Sequence, residues 1–416
     1  MNRMREVSVL IIENATLIDL QTGDLRPGHF ITIDGDSIVA VDERRPTSHV
    51  AERIDLGGRC LLPGLIDAHF HATLTDTNPA NLRDVPTTLM TARAAGLLQG
   101  ALERGFTTVR DMGGADWGLR SAVAEGSIKG PRVYIAGRAL SQTGGHGDIR
   151  RRVETESFCS CSNALAFMSV VADGKAGVQV ATREQLRQGV DHIKVFLSGG
   201  VVSPSDPLAS AQYTDEELEA IVHEARSWNT YVAAHAYTAA AITRAAKAGV
   251  RTIEHGNLID APAAKLLAER GGYLVPTLVT YEIMRREAPR ARLPAFSVAK
   301  LETVLAAGLE SIQIALQAGV KLGFGTDLLG EFHAYQSEEL QIRARVQKPL
   351  AVLRSATLVN AEILGQTGRL GTIAPGALAD LIAVDGNPLE DLGLLQNQGR
   401  HLSLIVKNGA VFKRAL

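Results

Sequence analysis

The sequence predicts an α/β protein that combines a (β/α)8 barrel of the TIM type with a small β-sandwich domain built from both termini. Residues 65–365 alternate short apolar runs with helical patterns, and eight such runs are the number of strands that a closed barrel needs. Residues 1–64 and 366–416 instead carry short β-like runs broken by turn residues. We therefore expect one domain from 1–64 with 366–416 and a second from 65–365.

The two ends of the chain share the same pattern of strands and tight turns. Asn408 and Gly409 form a dipeptide that strongly favours a hairpin turn, and apolar residues lie on both sides of it. Strands of the sandwich are expected at residues 9–12, 30–33, 37–41, 378–384 and 402–406.

The central segment shows clear helix ends between its apolar runs. Thr214 and Glu217 have the spacing of a capping box, and a helix over 239–248 ends before Gly249. The Gly-rich interval 144–174 fits no regular element and is expected to be a long loop over one barrel face. Barrel strands are expected at residues 65–69, 107–111, 132–136, 192–197, 231–235, 252–254, 273–276 and 322–327.

Charge and composition favour a small-molecule substrate. The chain of 416 residues has 43 Lys and Arg against 45 Asp and Glu, which gives a net charge of −2. Nucleic acid and anionic membranes call for a basic surface, so neither is expected as a partner. No apolar stretch approaches the roughly 18 residues of a membrane span, and three cysteines are too few for a disulfide framework. We expect a cytoplasmic protein and leave a homo-oligomer open.

Histidines, a lysine and an aspartate mark the ends of several predicted strands. The first barrel strand ends in His69-Phe70-His71, and alternation places both imidazoles on one side, where they can reach one metal ion. The carboxyl ends of barrel strands converge on one pocket, so further ligands at other strand ends would join them. Four such residues are Lys194, His235, His255 and Asp327.

Lys194 lies within an apolar run, where a charged ammonium would be costly to bury. Burial favours the neutral amine, which can add carbon dioxide to give an anionic carbamate. The alternative is that the stem packs while the ammonium reaches water.

Other polar residues have simpler alternatives. Asp327 could cap a helix after the last strand instead of binding metal. His192 is expected to be a core histidine whose hydrogen bonds are satisfied. His223 and His333 are expected to be solvated, although His333 could also line the mouth of the site.

These motifs together resemble the amidohydrolase superfamily, in the subgroup that binds two divalent metal ions. Within it the chain is similar to the imidazolonepropionase-related metallopeptidases, which include Xaa-Pro dipeptidases and carboxypeptidases acting on N-acyl amino acids. The resemblance spans nearly the whole chain and rests on residues 63–71, 193–195, 234–236, 254–256, 325–327 and 375–381.

The resemblance implies a metal centre and substrate contacts. It implies two divalent ions, with zinc as the default because imidazole and carboxylate ligands suit it. It also implies that His146 and Tyr237 contact the substrate, and Tyr237 could donate to the developing oxyanion. Its expected ligands are His69, His71 and Asp327 for one ion, His235 and His255 for the other, and a carboxylated Lys194 as the bridge.

The expected reaction is hydrolysis of an amide in a dipeptide or N-acyl amino acid, which releases the C-terminal residue as an Xaa-Pro dipeptidase does. Asp327 would take the proton from the attacking water and deliver it to the departing nitrogen. One alternative is an imidazolonepropionase-like cyclic amide hydrolase or a deaminase, whose families generally lack the bridging lysine, so Lys194 argues against it. The other is a non-catalytic scaffold, which would tend to lose ligands that are all present here.

Overall fold

The computed structural model describes residues 9–47, 51–151, 153–155, 164–203, 206–287 and 295–416. The chain has an α/β fold and divides into two compact units. The first unit comprises Met1–Ile66, Gly100–Thr108 and Arg343–Leu416, and the second comprises Asp67–Gln99 and Val109–Ile342. The domain boundaries expected from the sequence stay a prediction.

Strands from both ends of the chain lie in one mixed sheet. Its order is β18-β17-β16-β5-β1-β2-β3, and β4 pairs with β1. Ile12, Ile31, Leu61 and Leu404 belong to one buried apolar cluster of the first unit. A sandwich arrangement stays a prediction. The strands of the described chain are β1 Leu10–Ile18, β2 Leu25–Asp34, β3 Ser37–Asp42, β4 Glu52–Asp55, β5 Cys60–Pro63, β6 Leu65–Phe70, β7 Phe106–Asp111, β8 Arg132–Ile135, β9 Ala139–Ser141, β10 Ser169–Val171, β11 Ile193–Phe196, β12 Val232–Thr238, β13 Thr252–Leu258, β14 Tyr273–Val275, β15 Lys321–Leu322, β16 Leu381–Val384, β17 Leu402–Lys407 and β18 Ala410–Arg414.

The second unit contains a sheet of parallel strands. A seven-stranded sheet has the order β10-β9-β11-β12-β13-β14-β15, and a further sheet has the order β6-β7-β8. The Ala68 N–H donates to the Phe324 carbonyl at 2.8 Å, and the Asp327 N–H donates to the His69 carbonyl at 2.8 Å. The segment after β15 therefore runs alongside β6. Seven parallel strands are consistent with a barrel, and its closure stays a prediction.

Each of the eight predicted barrel strands has a counterpart, but the last prediction is wrong in length. Regular structure there is limited to Lys321–Leu322, and residues 323–327 run as irregular chain. Gly323 and Gly325 weaken a strand, and Asp327 adopts a left-handed conformation with φ 53°. A regular strand therefore cannot continue to the end of the predicted run.

The predicted long loop over residues 144–174 is wrong in its last part. A 3-10 helix at Ala164–Phe167 and strand β10 lie there, and residues 152 and 156–163 lie outside the described residues. Ser169 pairs in parallel with Ala139 of β9. A three-residue strand is defined by a partner distant in sequence, so its local residues do not reveal it.

Helices separate the strands of the second unit, and the predicted helix ends are confirmed. Thr214 Oγ1 accepts from the Glu217 N–H at 3.2 Å, the Glu217 carboxylate accepts from the Thr214 N–H, and Gly249 ends its helix at φ 86°. The helices of the described chain are α1 Thr87–Glu103, α2 Trp117–Ala124, α3 Gly174–Arg187, α4 Asp215–Ser227, α5 Ala239–Ala248, α6 Ala261–Glu269, α7 Leu278–Arg286, α8 Ala295–Gln317, α9 Glu338–Ala344, α10 Pro349–Arg354 and α11 Asn360–Ile363, with a π-helix at Ser355–Val359 and further 3-10 helices at Pro79–Asp84, Gly330–Tyr335, Leu392–Leu395 and Asn397–Gly399.

Within the described residues, none of the helices combines the length and the apolar character that crossing a lipid bilayer requires. The cytoplasmic location and the homo-oligomer considered from the sequence stay predictions.

Substitution of Gly64, between β5 and β6, tests how tightly β6 packs. A Cβ at Gly64 would lie 2.1 Å from Thr107 Oγ1, whereas a Cβ at Gly96 of α1 would meet nothing within 4 Å. We expect Gly64→Ala to lower the free energy of unfolding by about 1–3 kcal/mol, because the added methyl overpacks the site. Gly96→Ala should raise it by about 0.5–1 kcal/mol, because alanine favours a helix. Urea unfolding measures both, and equal midpoints would contradict the packing.

Candidate active site and metal centre

The predicted ligands lie on strands of the second unit or in the chain just beyond them. His69 is on β6, His235 is on β12 and His255 is on β13. Phe196 of β11 is opposite His235, and Ala236 is opposite His255, so the parallel register brings neighbouring strand ends level. The other three predicted ligands, which lie on or just after strands or just beyond β15, are His71, Lys194 and Asp327.

Five imidazole rings form a row across the site. The ring centroids of His71 and His69 are 5.4 Å apart, and those of His69 and His255 are 4.8 Å apart. The row continues from His255 to His235 at 4.7 Å and from His235 to His146 at 4.6 Å. The four predicted histidine ligands and the predicted substrate contact are therefore adjacent.

Asp327 faces three of these rings. Its Oδ1 lies 3.3 Å from His69 Nε2 and 3.2 Å from His71 Nε2, and its Oδ2 lies 4.0 Å from His255 Nδ1. Although burial raises its pKa, the neighbouring His69 holds the pKa of Asp327 well below its usual value. Among the described residues, ligand atoms of His69, His255 and Asp327 lie within 4.8 Å of one another and could hold a metal ion. Because Leu329, not Asp327, caps the next helix, the helix-cap alternative fails.

A hydrogen bond at one nitrogen of each ring orients the four histidines. Such bonds fix which ring nitrogen carries the proton and leave the other nitrogen for a metal. Three of the rings are held at Nδ1 and the fourth at Nε2. The pairs are His69 Nδ1 with Glu254 Oε2 at 2.8 Å, His71 Nδ1 with the Gly113 carbonyl at 3.2 Å, His255 Nδ1 with Thr277 Oγ1 at 2.8 Å, and His235 Nε2 with the Gly199 carbonyl at 3.1 Å.

The carboxylate behind His69 belongs to a buried ion pair. Arg110 of β7 donates to Glu254 Oε1 at 2.8 Å and to the Ala68 carbonyl at 2.6 Å, and the Thr252 hydroxyl donates to Glu254 Oε1 at 2.6 Å. Burial raises the pKa of Glu254, but Arg110 and His69 outweigh it and hold that pKa well below its usual value. The ionised carboxylate therefore accepts from His69. Arg110 and Glu254 were not predicted as site residues, although charged residues inside apolar strands indicate a role.

Lys194 is buried without a hydrogen bond to its amine. Only 1% of its surface is exposed, and within the described chain its Nζ has no hydrogen-bond partner. Burial lowers the pKa of Lys194 to about 8. The ammonium does not reach water, so the alternative in which only the stem packs does not apply. An unpaired buried amine is costly and fits a group that becomes modified or binds a metal.

The two predicted substrate contacts also reach this region. His146 Nδ1 lies 2.7 Å from Ser203 Oγ, and the ring stacks on His235. The Tyr237 hydroxyl lies 2.9 Å from the Tyr281 hydroxyl, and burial raises the pKa of Tyr237, so the phenol stays protonated. Tyr281 of α7 was not predicted, because its helix shows no local pattern that links it to β12.

One cavity of about 470 Å³ contains the whole constellation. This volume suits a ligand of dipeptide size. Apolar side chains, among them Leu74, Val201, Met284 and Leu329, form part of its wall. The predicted site residues that line it are His69, His71, His146, Lys194, His235, Tyr237, His255 and Asp327.

The remaining predicted histidines lie outside this cavity lining. His192 is fully buried and stacks on Tyr231 with centroids 5.6 Å apart, as expected of a core histidine. The expectation that its hydrogen bonds are satisfied is wrong, because neither ring nitrogen has a partner among the described residues. His223 is exposed, as predicted. The prediction that His333 is solvated is wrong: it is buried, and its Nε2 lies 3.2 Å from the His71 carbonyl. The 3-10 helix Gly330–Tyr335 brings it there, which local polarity does not reveal.

Residues 60–411 match the amidohydrolase family, so the chain belongs to this family. Its sequence is 34% identical to ochratoxinase from Aspergillus niger over 85% of this chain and 75% of that protein. Its structure is similar to a prolidase complexed with N-methylphosphonate-L-proline, with 47% identity, a TM-score of 0.95 and coverage of 98% of this chain and 100% of that chain. An Xaa-Pro dipeptidase with bound methionine gives 30% identity, a TM-score of 0.88 and the same coverage.

The expected resemblance to the amidohydrolase superfamily and to dipeptidases within it is thus confirmed. The chain is a hydrolase that acts on C–N bonds.

Glu254→Gln tests whether the buried carboxylate supports the metal centre. We expect the affinity for zinc to fall about 10–100-fold, because an amide no longer provides the charge that orients His69 and strengthens it as a ligand. Competition with a chromophoric chelator measures this affinity. The matched control is Glu13→Gln, since Glu13 is also buried and accepts from Arg45 at 3.2 Å, in the first unit. Equal zinc affinity in both folded variants would contradict the role of Glu254.

Proposed function

We propose that the chain is a binuclear metal-dependent dipeptidase that cleaves Xaa-Pro dipeptides and releases proline. The observation that carries the proposal is the convergence of six potential ligands, including the unpaired buried Lys194, on one cavity of about 470 Å³. The similar prolidase complexed with a phosphonate analogue of proline and the similar Xaa-Pro dipeptidase support proline as the released residue.

Two ions, with zinc as the first choice, fit the ligand types of the site. Imidazole nitrogens and a carboxylate suit zinc. A carbamate on Lys194 would replace an unpaired buried amine by an anion with two oxygens, which two dications require between them. The proposed ligands are His69, His71 and Asp327 for one ion, His235 and His255 for the other, and carboxylated Lys194 for both.

Bound divalent ions supply Lewis acidity and make water nucleophilic near neutral pH. Asp327, whose pKa lies well below its usual value, is ionised and accepts the proton of the attacking water. It then delivers this proton to the proline nitrogen as the amide bond breaks. This transfer lets proline leave as a neutral amine, so Asp327 has both proton-transfer roles.

Tyr237 acts on the carbonyl oxygen of the scissile bond. Burial raises its pKa, so its phenol keeps the proton that it donates as negative charge develops on that oxygen. The Tyr281 hydroxyl at 2.9 Å holds the Tyr237 hydroxyl in place. The Ser203 hydroxyl contacts Nδ1 of His146, and the N–H at Nε2 of this ring donates to the carboxylate of the proline residue.

A substrate panel tests the released residue. We expect the zinc-loaded enzyme to cleave Xaa-Pro dipeptides more rapidly than Xaa-Arg dipeptides or N-acyl amino acids, in line with the similar prolidase complexed with a proline analogue. It should also cleave them more rapidly than lactams, because His146 and the ions would hold both ends of a short linear amide. Mass spectrometry of the products with time measures each rate. Preferential cleavage of lactams would move the assignment to a cyclic amide hydrolase.

Lys194→Ala tests the two-metal centre. We expect fewer than two metal ions per chain and a rate of Xaa-Pro cleavage at least about 100-fold lower, because the bridging oxygens are lost. Mass spectrometric metal analysis and initial rates measure the two effects. In the unmodified enzyme, ¹³C-labelled bicarbonate should give a carbamate signal in the ¹³C NMR spectrum.

The control for Lys194→Ala is His223→Ala, which removes an exposed histidine of α4. It should keep the metal content and the rate. If Lys194→Ala cleaves every dipeptide as fast as the unmodified enzyme, the bridge does not exist. One ion per chain in the unmodified enzyme would favour the mononuclear alternative.

A further inference from the structure

We infer that Lys300 is a positioning residue for substrate binding, because its ammonium holds the backbone segments that fix His146. The inference rests on the proposed function, which gives His146 the task of binding the carboxylate of the substrate. Lys300 lies on α8 and does not line the cavity, so it would act through His146.

The ammonium of Lys300 is fully used by backbone carbonyls. Its Nζ donates to the carbonyls of Gly200 at 2.9 Å, Ser203 at 2.9 Å and Asp206 at 2.6 Å. An ammonium has three N–H donors, so this set completes its capacity. Burial lowers the pKa of Lys300, although Asp206 opposes this. These charge-assisted bonds tie the chain after β11 to helix α8.

The three residues whose carbonyls Lys300 holds also contact His146. Ser203 Oγ lies 2.7 Å from His146 Nδ1, and Asp206 Oδ2 lies 3.7 Å from the same nitrogen. Gly200 packs so closely that a Cβ there would lie 1.9 Å from His146 Cε1. One ammonium therefore sets all three of these contacts of the imidazole.

The same segment also shapes the cavity. The Gly200 N–H donates to Asp206 Oδ2 at 3.0 Å, and Val201 and Ser203 line the cavity wall. Without the ammonium, all three carbonyls would lose this donor, and the Gly200 carbonyl would keep only the Ser203 hydroxyl at 3.3 Å. Because buried carbonyls require hydrogen bonds, they would turn toward other donors. Ser203 would then move away from His146, and the imidazole would no longer be held for the substrate.

The first test is Lys300→Met, which keeps the length of the side chain and removes the charge. We expect KM for an Xaa-Pro dipeptide to rise about tenfold with kcat changed less than about twofold, because ground-state binding is lost. Lys300→Arg should recover part of the effect, since a guanidinium also donates to carbonyls. An unchanged KM, or a lower kcat at unchanged KM, would overturn the inference.

Lys413→Met is the matched control. Lys413 is a second lysine whose Nζ donates to a backbone carbonyl, that of Gly399 at 2.7 Å, and burial lowers its pKa as well. It belongs to the first unit, whereas His146 belongs to the second. We expect its KM and kcat to equal those of the unmodified enzyme. A tenfold rise of KM in this control would show that loss of any lysine bonded to backbone carbonyls raises KM, which would overturn the inference.

A double-mutant cycle tests whether Lys300 acts through His146. In the presence of His146→Asn, Lys300→Met should raise KM less than twofold further, because the residue that it positions is absent. If the two substitutions instead raise KM by independent factors that multiply, the positioning role is overturned. Gly200→Ala, which forces the imidazole aside and leaves the ammonium in place, should raise KM to a similar extent as Lys300→Met.

Hydrogen exchange without substrate separates this inference from the proposed function. Amides of residues 199–203 should exchange at least about tenfold faster in Lys300→Met than in the unmodified enzyme or Lys413→Met, because the segment opens more often. Unchanged exchange would overturn the inference even if Xaa-Pro dipeptides are cleaved. Absence of Xaa-Pro cleavage by the unmodified enzyme would instead reject the proposed function.

Discussion

The ion pair between Arg110 and Glu254 is the constraint on which the site depends. Both side chains are fully buried, and an uncompensated buried charge would cost about 3–5 kcal/mol. The pair can form only when β7 and β13 are correctly placed. Because the same carboxylate holds His69 and the same guanidinium holds the Ala68 carbonyl, β6 is bound into the arrangement as well. The need to pair these buried charges thus determines where His69, the first of the proposed metal ligands, lies.

An unusual backbone conformation orients two further side chains of the site. His255 and Asp327 have φ values of 72° and 53°, in the left-handed region that non-glycine residues rarely adopt. Such strain persists where the surrounding structure enforces it, typically at functional sites. Here the two strained residues face each other, with Asp327 Oδ2 4.0 Å from Nδ1 of His255, the middle ring of the imidazole row, while His69 and His71 reach the site through ordinary alternation.

The sequence was sufficient for the residues whose position follows from strand ends. His69, His235 and Asp327 could be predicted to meet because parallel strands end at one edge, and the structure brings them to one cavity. It was insufficient where position depends on segments distant in sequence. His333 is buried by a 3-10 helix against the His71 carbonyl, and Lys300 reaches carbonyls about 100 residues away, as the span to Gly200 shows. No local pattern contains those pairings.

Glu254 and His255 are consecutive, yet both serve the same centre. In an extended strand, successive side chains point to opposite faces, and the left-handed residue His255 together with the register shift opposite Ala236 and Thr238 breaks this alternation. A distant relative could therefore keep the Glu-His dipeptide unchanged and still lack the centre, if its backbone stayed straight at this point. The presence of this dipeptide in an aligned sequence is consequently weaker evidence for the site than the presence of the local kink in the backbone.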